Sequence, residues 1–184
     1  VWVAYAGNIS ALYDLETLVE AVAIAAKSYP ELRLKILGDG PERAAVQAVV
    51  ERTGAPAELL GYMPYRVMAA WLKASDMVVN SLVANAPQSV PTKIGDYLAS
   101  GRPMINTSMN AEFREKVVRD GFGVNVVPGD AEGLARVICE LVEDDGRARM
   151  GRVARELAAA QFDRPHSYEA TVDLIRGLIA GSAK

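Results

Sequence analysis

The chain has 184 residues, with 20 Lys plus Arg against 23 Asp plus Glu, and its formal net charge of −3 leaves no basic footprint for nucleic acid. Apolar residues at 51% and a mean hydropathy of +0.09 exclude intrinsic disorder, and the length suits one domain with at most an appendage. A single cysteine, Cys139, excludes an intrachain disulfide framework and a multi-cysteine zinc site, and a single histidine, His166, excludes a cluster of histidine ligands.

The first residues, Val1-Trp2-Val3-Ala4-Tyr5, read as a strand entered at its first position. There is no Met and no basic lead-in of the kind a signal peptide carries, so the expectation is a fragment of a longer protein. Further short apolar runs at 32–37, 58–60, 77–80, 103–106 and 124–127 predict buried strands. Helical spacing fills the gaps between them. Leu15, Leu18, Val19, Val22 and Ala26 form one stripe; Val46, Val49 and Val50 a second; Val67, Met68, Trp71 and Leu72 a third; Ile94, Tyr97 and Leu98 a fourth. After the last strand the chain is helical only. Asp130 suits the N-cap of the first closing helix, and breaks are expected around Asp144 to Gly146 and at 162–165. No apolar run reaches the roughly 18–20 residues that span a bilayer.

Strict alternation of strand and helix predicts an α/β domain with a doubly wound parallel β-sheet, its strands apolar on both sides. Such sheets bind ligands at the carboxyl ends of their strands, near the switch in strand order. The loops at 7–10, 38–41, 61–64, 81–91 and 106–110 are therefore the places to look. The first has a single glycine, Gly7, where a dinucleotide fingerprint needs three. Asp39 follows the second strand, but Gly38-Asp39-Gly40-Pro41 is explained as a tight turn with Pro41 opening a helix. The Walker pattern is absent. Neither a dehydrogenase nor a P-loop enzyme is supported.

The segment 87–105 carries most information. Pro91 suits the first turn of a helix and Gly101 its end. Lys93 then falls in the first helical turn, where the macrodipole disfavours a cation. A bound anion would explain it, and so would a solvated pair with Asp96, three positions on and on the same open face. Asp96 has the chemistry to accept hydrogen bonds from vicinal hydroxyls.

From Ser89 to Pro103 this stretch resembles the donor-binding segment of GT-B glycosyltransferases of the retaining family-four type, the glycosyl transferases group 1. There a loop leads into a helix of the pattern S-x-P-S/T-K, a hydrophobic residue, then x-E-Y-L-A-x-G-K/R-P. Tyr5-Ala6-Gly7-Asn8, Ile36-Leu37-Gly38-Asp39-Gly40-Pro41, Leu60-Gly61-Tyr62-Met63-Pro64, Ala74 to Val79 and Gly123 to Asp130 resemble further family segments in the same order.

The resemblance implies a Rossmann-like C-terminal half, residues 1–162, that binds a nucleotide-sugar donor, and a last helix, 163–184, that packs toward an N-terminal domain. It implies donor diphosphate contacts from Gly7, Asn8 and Lys93, ribose contacts from Asp96, donor sugar contacts from Gln88 and Ser89, and a base pocket at Gly61, Tyr62 and Met63. No catalytic residue is assigned within this chain. Neither a cofactor nor a metal is expected. The activity implied is retaining hexosyl transfer from a UDP-, GDP- or ADP-sugar to a saccharide or lipid-linked acceptor held by the N-terminal domain. The fragment alone would be inactive. The full-length protein would be cytoplasmic, with peripheral association at the inner face of the membrane, and would bind no nucleic acid.

Three positions depart from the family pattern. Gln88 is neutral, and Asp96 one methylene shorter, where the family carries two glutamates eight positions apart. Asn8 and Asp14 stand where an arginine and a lysine often clamp the diphosphate, and Asp14 is better read as a helix N-cap. Arg102 is either a helper at the phosphates or a solvated side chain past a helix end. His166 reads as a surface residue, Cys139 as a buried small hydrophobe, Glu112 as an acid in a first helical turn or a sugar contact, and Trp71 and Met68 as core. Two alternatives stay open: a nucleotide-sugar 2-epimerase of the same fold, and a non-catalytic nucleotide-sugar-binding partner subunit.

Overall fold

The computed structural model describes residues 1–86 and 91–181. Six strands, β1 (Trp2–Ala6), β2 (Arg33–Leu37), β3 (Ala57–Gly61), β4 (Met77–Asn80), β5 (Met104–Asn106) and β6 (Gly123–Asn125), form one parallel sheet in the order β3-β2-β1-β4-β5-β6. The helices are α1 (Leu15–Ala25), α2 (Arg43–Thr53), α3 (Tyr65–Ala74), α4 (Ile94–Ser100), α5 (Ala111–Asp120), α6 (Ala131–Glu143), α7 (Arg147–Gln161) and α8 (Arg164–Gly181). The doubly wound α/β sheet expected from the alternation is therefore present, and strand order reverses between β1 and β4.

The period of two along a strand builds the core. Val3 and Tyr5 face a cluster with Leu15, Leu18 and Val22 of α1, Val46 and Val49 of α2, and Leu134 and Ile138 of α6. Ala4 and Ala6 face the opposite cluster, with Leu72 of α3, Ile94, Tyr97 and Leu98 of α4, Phe113 and Val117 of α5, and Ala154 of α7. Burying each large side chain contributes about 1.5–3 kcal/mol, so both faces resist losing a helix. A charged residue breaks the apolar pattern in β2. Lys35 of β2 is buried, pairs with Glu58 of β3, and lies 5.2 and 5.7 Å from the ring centres of Trp2 and Trp71.

Capping follows the side-chain chemistry of the sequence. Asp14 accepts from the Thr17 amide at the start of α1, and Asp130 from the Gly133 amide at the start of α6. Glu112 lies in the first turn of α5, beside the capping Asn110. Gly101 ends α4 in the left-handed conformation, φ 71°, which costs a residue without a Cβ nothing. Two helix starts differ from expectation. Pro41 and Pro91 both precede their helices, which begin at Arg43 and Ile94. The turn before α4 closes instead through the Ile94 N–H to the Pro91 carbonyl, 3.0 Å, so Lys93 is the N-cap residue and not part of the first helical turn.

The breaks near 144–146 and 162–163 separate α6, α7 and α8 as the sequence suggests. Tyr168, Val172, Leu174, Ile175, Leu178 and Ile179 of α8 are all exposed. No helix among the described residues is long and apolar enough to cross a membrane.

Candidate functional site

Three strand-end turns meet at the carboxyl edge of the sheet. The Gly7 N–H donates to the Leu37 carbonyl at 2.9 Å, the Ile9 N–H to the Asp39 carbonyl at 2.9 Å, and the Gly38 N–H to the Gly61 carbonyl at 2.8 Å. Gly38 has φ 134°, and a Cβ there would lie 1.9 Å from the Gly7 carbonyl oxygen. Only glycine permits that approach. The turns enclose a cleft of about 460 Å³ lined by Gly7, Asn8, Gly38, Asp39, Tyr62, Met63, Tyr65 and Met68, among others. Tyr62 is 84% and Tyr65 65% exposed, so two aromatic rings stand at its mouth.

The structure thus brings Gly7 and Asn8 together with Tyr62 and Met63 in one cleft, although the pairs are more than fifty residues apart in the chain. Gly61 supplies the carbonyl that anchors Gly38. Met68, assigned to the core from its spacing, packs against the core and also lines the cleft. Asp39 accepts from the Gly40 N–H at 2.9 Å, which is the tight turn expected there.

Lys93 approaches from the other side of Gly7. Its Nζ lies 4.1 Å from the ring centre of Tyr5 and 3.7 Å from that of Tyr13. A Cβ built on Gly7 would be 2.8 Å from that Nζ. The ammonium therefore crosses the end of β1 over the glycine. The stem keeps some exposure, but Nζ is buried and has no hydrogen-bond partner among the described residues. Burial lowers the Lys93 pKa to about 7. The faces of two tyrosines are partial compensation, since each cation–π contact contributes about 0.5–2 kcal/mol. Tyr5 and Tyr13 were not legible as site residues: they lie some eighty residues from Lys93 and read as strand and loop. The Tyr5 hydroxyl donates to the Asn8 carbonyl at 2.6 Å, so the ring that faces Lys93 also pins the Gly7-Asn8 turn. Burial pushes the phenol of Tyr5 up, and that of Tyr97 likewise.

Tyr97 ties the end of β1 to α4. Pairing between β1 and β4 ends at Ala4 and Val78. Beyond it the Tyr97 hydroxyl accepts from the Ala6 N–H at 2.9 Å and donates to the Ala6 carbonyl at 3.1 Å, taking the place of a ladder at the switch point. On the other flank, Asn80, Asn106 and Asn125 stand in register at the ends of β4, β5 and β6 and pass amide hydrogen bonds of 2.9 and 2.8 Å along the sheet edge. No motif in the sequence pointed to this amide row, because register alone aligns it.

Asp96 does not share a face with the Lys93 ammonium. Its Oδ1 accepts from the Tyr65 hydroxyl at 2.8 Å and lines a neighbouring groove of about 550 Å³ with Thr92, Gly95 and Arg155. The Lys93 backbone is already helical, φ −64° and ψ −15°, so side-chain direction parts the two groups: the ammonium turns over the Tyr5 and Tyr13 rings and the carboxylate turns to Tyr65. Asp14 is held by the Thr17 and Gly129 amides, which fits its reading as a cap. Arg102 donates to the Lys73 carbonyl past the end of α4, at the amino edge of the sheet, so it stands at the wrong end to help at the phosphates. Cys139 is half-buried and packs against the α1 side of the core. Gln88 and Ser89 lie outside the described residues, as does the His166 side chain. Among the described residues no group of three His, Cys, Asp or Glu side chains could hold a metal ion.

A sheet of this order with a cleft at the carboxyl ends of its strands, beside the switch in strand order, is a nucleotide-binding architecture in general, and comparison with known proteins names the family. Residues 1–144 match the glycosyl transferases group 1. The chain belongs to that family. Over 161 residues it is 30% identical to the lipopolysaccharide core biosynthesis glycosyltransferase LpsE of Rhizobium meliloti, covering 86% of this chain and 45% of that protein. Anabaena HepE, solved in complex with UDP, superposes with a TM-score of 0.83 at 20% identity over 96% of this chain and 48% of its own. The C-terminal domain of the group 1 glycosyl transferase LpcC from Francisella tularensis superposes with a TM-score of 0.72 at 18% identity, over 89% of this chain and 86% of that domain. This glycosyl transferase chain thus has the fold of a GT-B C-terminal half. It spans about half the length of the curated relatives it matches.

Proposed function

We propose that this domain binds the nucleoside diphosphate part of a nucleotide-sugar donor, with the diphosphate lying over Gly7 against Lys93. The observation that carries the reading is the Lys93 ammonium: buried, without a hydrogen-bond partner among the described residues, and held 2.8 Å from where a Gly7 side chain would begin. A cation kept in that condition is costly, and an anion at the switch point removes the cost. Gly7 and Asn8 form the floor of the cleft beneath the phosphates. The Gly61, Tyr62 and Met63 segment receives the base, Asp96 serves the ribose, and Gln88 and Ser89 serve the transferred sugar. HepE, which shares the fold, was solved with UDP, and LpsE is named a glycosyltransferase; both support the reading.

In transfer, the bond between the sugar's anomeric carbon and the diphosphate oxygen breaks, and its electron pair stays on the diphosphate. Lys93 opposes that developing charge in a site partly shielded from water, where such an interaction is strongest. The proposal assigns charge neutralisation to Lys93 and requires no metal. Hexosyl transfer with retention, to a saccharide or lipid-linked acceptor, belongs to the whole protein, with the acceptor held by an N-terminal half against which α8 packs. This chain alone is expected to bind nucleotide weakly and to transfer no sugar. Calorimetric titration of UDP and GDP into the wild type and Lys93→Ala tests the assignment. One of the two nucleotides should bind and lose at least tenfold in affinity in the variant; equal affinity would overturn the role of Lys93.

A further inference from the structure

Among the described residues, Tyr65 is the one that lines both the cleft of Gly7, Tyr62 and Met63 and the groove of Asp96. Asp96 itself lines only the groove. The partition between the two spaces is therefore the Tyr65 ring, and its hydroxyl donates to Asp96 Oδ1 at 2.8 Å. A phenol that donates its proton to a carboxylate becomes a better acceptor at its own oxygen, because hydrogen bonds in series polarise one another. From this geometry we infer that Tyr65 is the ribose-binding residue on the cleft side, with Asp96 as the anchor that orients and polarises it. The inference rests on the nucleotide reading above and revises its route: Asp96 acts on the ribose through Tyr65.

The local structure favours this role. Tyr65 is the first residue of α3, directly after Pro64, which serves as that helix's N-cap with extended backbone, φ −57° and ψ 145°. The helix start fixes the direction of the ring, and the base segment Tyr62-Met63 is only two residues upstream. A nucleoside whose base rests on Tyr62 and Met63 presents its sugar hydroxyls toward this wall. The ribose hydroxyl donates to the Tyr65 oxygen, and the Tyr65 proton stays on its bond to Asp96.

The test uses UDP or GDP, whichever binds the wild-type chain, and the matching 2′,3′-dideoxynucleotide, titrated by calorimetry. Tyr65→Phe keeps the ring and removes the hydroxyl. It should weaken the ribonucleotide by about tenfold and leave the dideoxynucleotide unchanged. Asp96→Asn should give the same pattern, and the double variant should lose little more than either single one, since one chain of hydrogen bonds is being cut twice. Equal losses for both nucleotides in Tyr65→Phe would mean a purely structural or stacking role and would overturn the inference, as would no loss in either. Losses in Tyr65→Phe and Asp96→Asn that simply add would show that Asp96 reaches the ribose independently, which also overturns it. Failure of the wild type to bind either ribonucleotide would instead remove the nucleotide reading itself, and this inference with it.

Discussion

The candidate site has two walls, made by different means, and only the first lines the cleft itself. On the β1–β2–β3 side, shape comes from backbone: Gly7, Gly38 and Gly61 are tied amide to carbonyl, and Gly38 has no room for a single added carbon. On the α4 side, recognition groups are side chains borne by a seven-residue helix and its N-cap, and the ammonium of Lys93 is buried without a hydrogen bond among the described residues. The first wall is set when the sheet folds. The second keeps an electrostatic cost that only a ligand of opposite charge removes. One wall positions, and the other responds.

The strongest way to break this contrast is on the backbone side. Gly38→Ala should cost about 3 kcal/mol or more, since it combines a positive φ with a Cβ 1.9 Å from a carbonyl oxygen, and lower the melting temperature by on the order of 10 °C. Gly54→Ala is the control: φ is 66° but no atom lies within 4 Å, so about 1 kcal/mol is expected from conformation alone. Equal melting points for the two variants would show that the close approach is unimportant.

Next in size is the bridge between the walls. Tyr97→Phe leaves both polar groups of Ala6 without the hydroxyl and should cost about 2 kcal/mol, with the β1 end losing amide-exchange protection before the rest of the sheet. Uniform exchange across the sheet would count against a local bridge.

On the side-chain wall the sign reverses. Lys93→Met should stabilise the ligand-free chain by about 1 kcal/mol below pH 7 while abolishing diphosphate binding. The pH dependence follows from the lowered pKa. Below about pH 7 the wild-type lysine is charged both folded and unfolded, and the burial cost is full. Between about 7 and the ordinary 10.5 the unfolded chain binds more protons than the folded one, so wild-type stability rises with pH. The advantage of the methionine variant should therefore shrink across that window; a constant difference in melting temperature would contradict a buried, titrating ammonium. The same linkage predicts uptake of on the order of one proton when diphosphate binds near pH 8.5, read from calorimetry in buffers of different ionisation enthalpy. The smallest effect expected is none: chelation with EDTA should leave nucleotide affinity unchanged, and a loss would put a metal where the proposal puts Lys93.

Much of the fold was legible because its signals are local. The period of two along β1 and of 3.6 along α1 mark which residues face the core, and the carboxylates of Asp14 and Asp130 mark helix starts one turn ahead of the amides they cap. The strand-end turns were legible as places where a ligand belongs. The environment of Lys93 was not, because Tyr5 and Tyr13 come to it only through the adjacency of β1 and β4. Helical spacing put Asp96 beside the Lys93 ammonium, whereas the two side chains turn to different partners, Tyr65 for one and the Tyr5 and Tyr13 rings for the other.

Composition and pattern alone therefore determined an α/β domain, its strand and helix order, the glycine turns and the resemblance to the group 1 glycosyl transferases. Those properties depend on residues near one another in the chain. Tertiary structure alone decided the arrangement of the strands across the sheet, the tyrosine pair around Lys93, the Tyr97 bridge, the asparagine row and the partition formed by Tyr65. Each of these joins residues distant in sequence through sheet register or helix packing, and both are properties of the packed whole rather than of any segment.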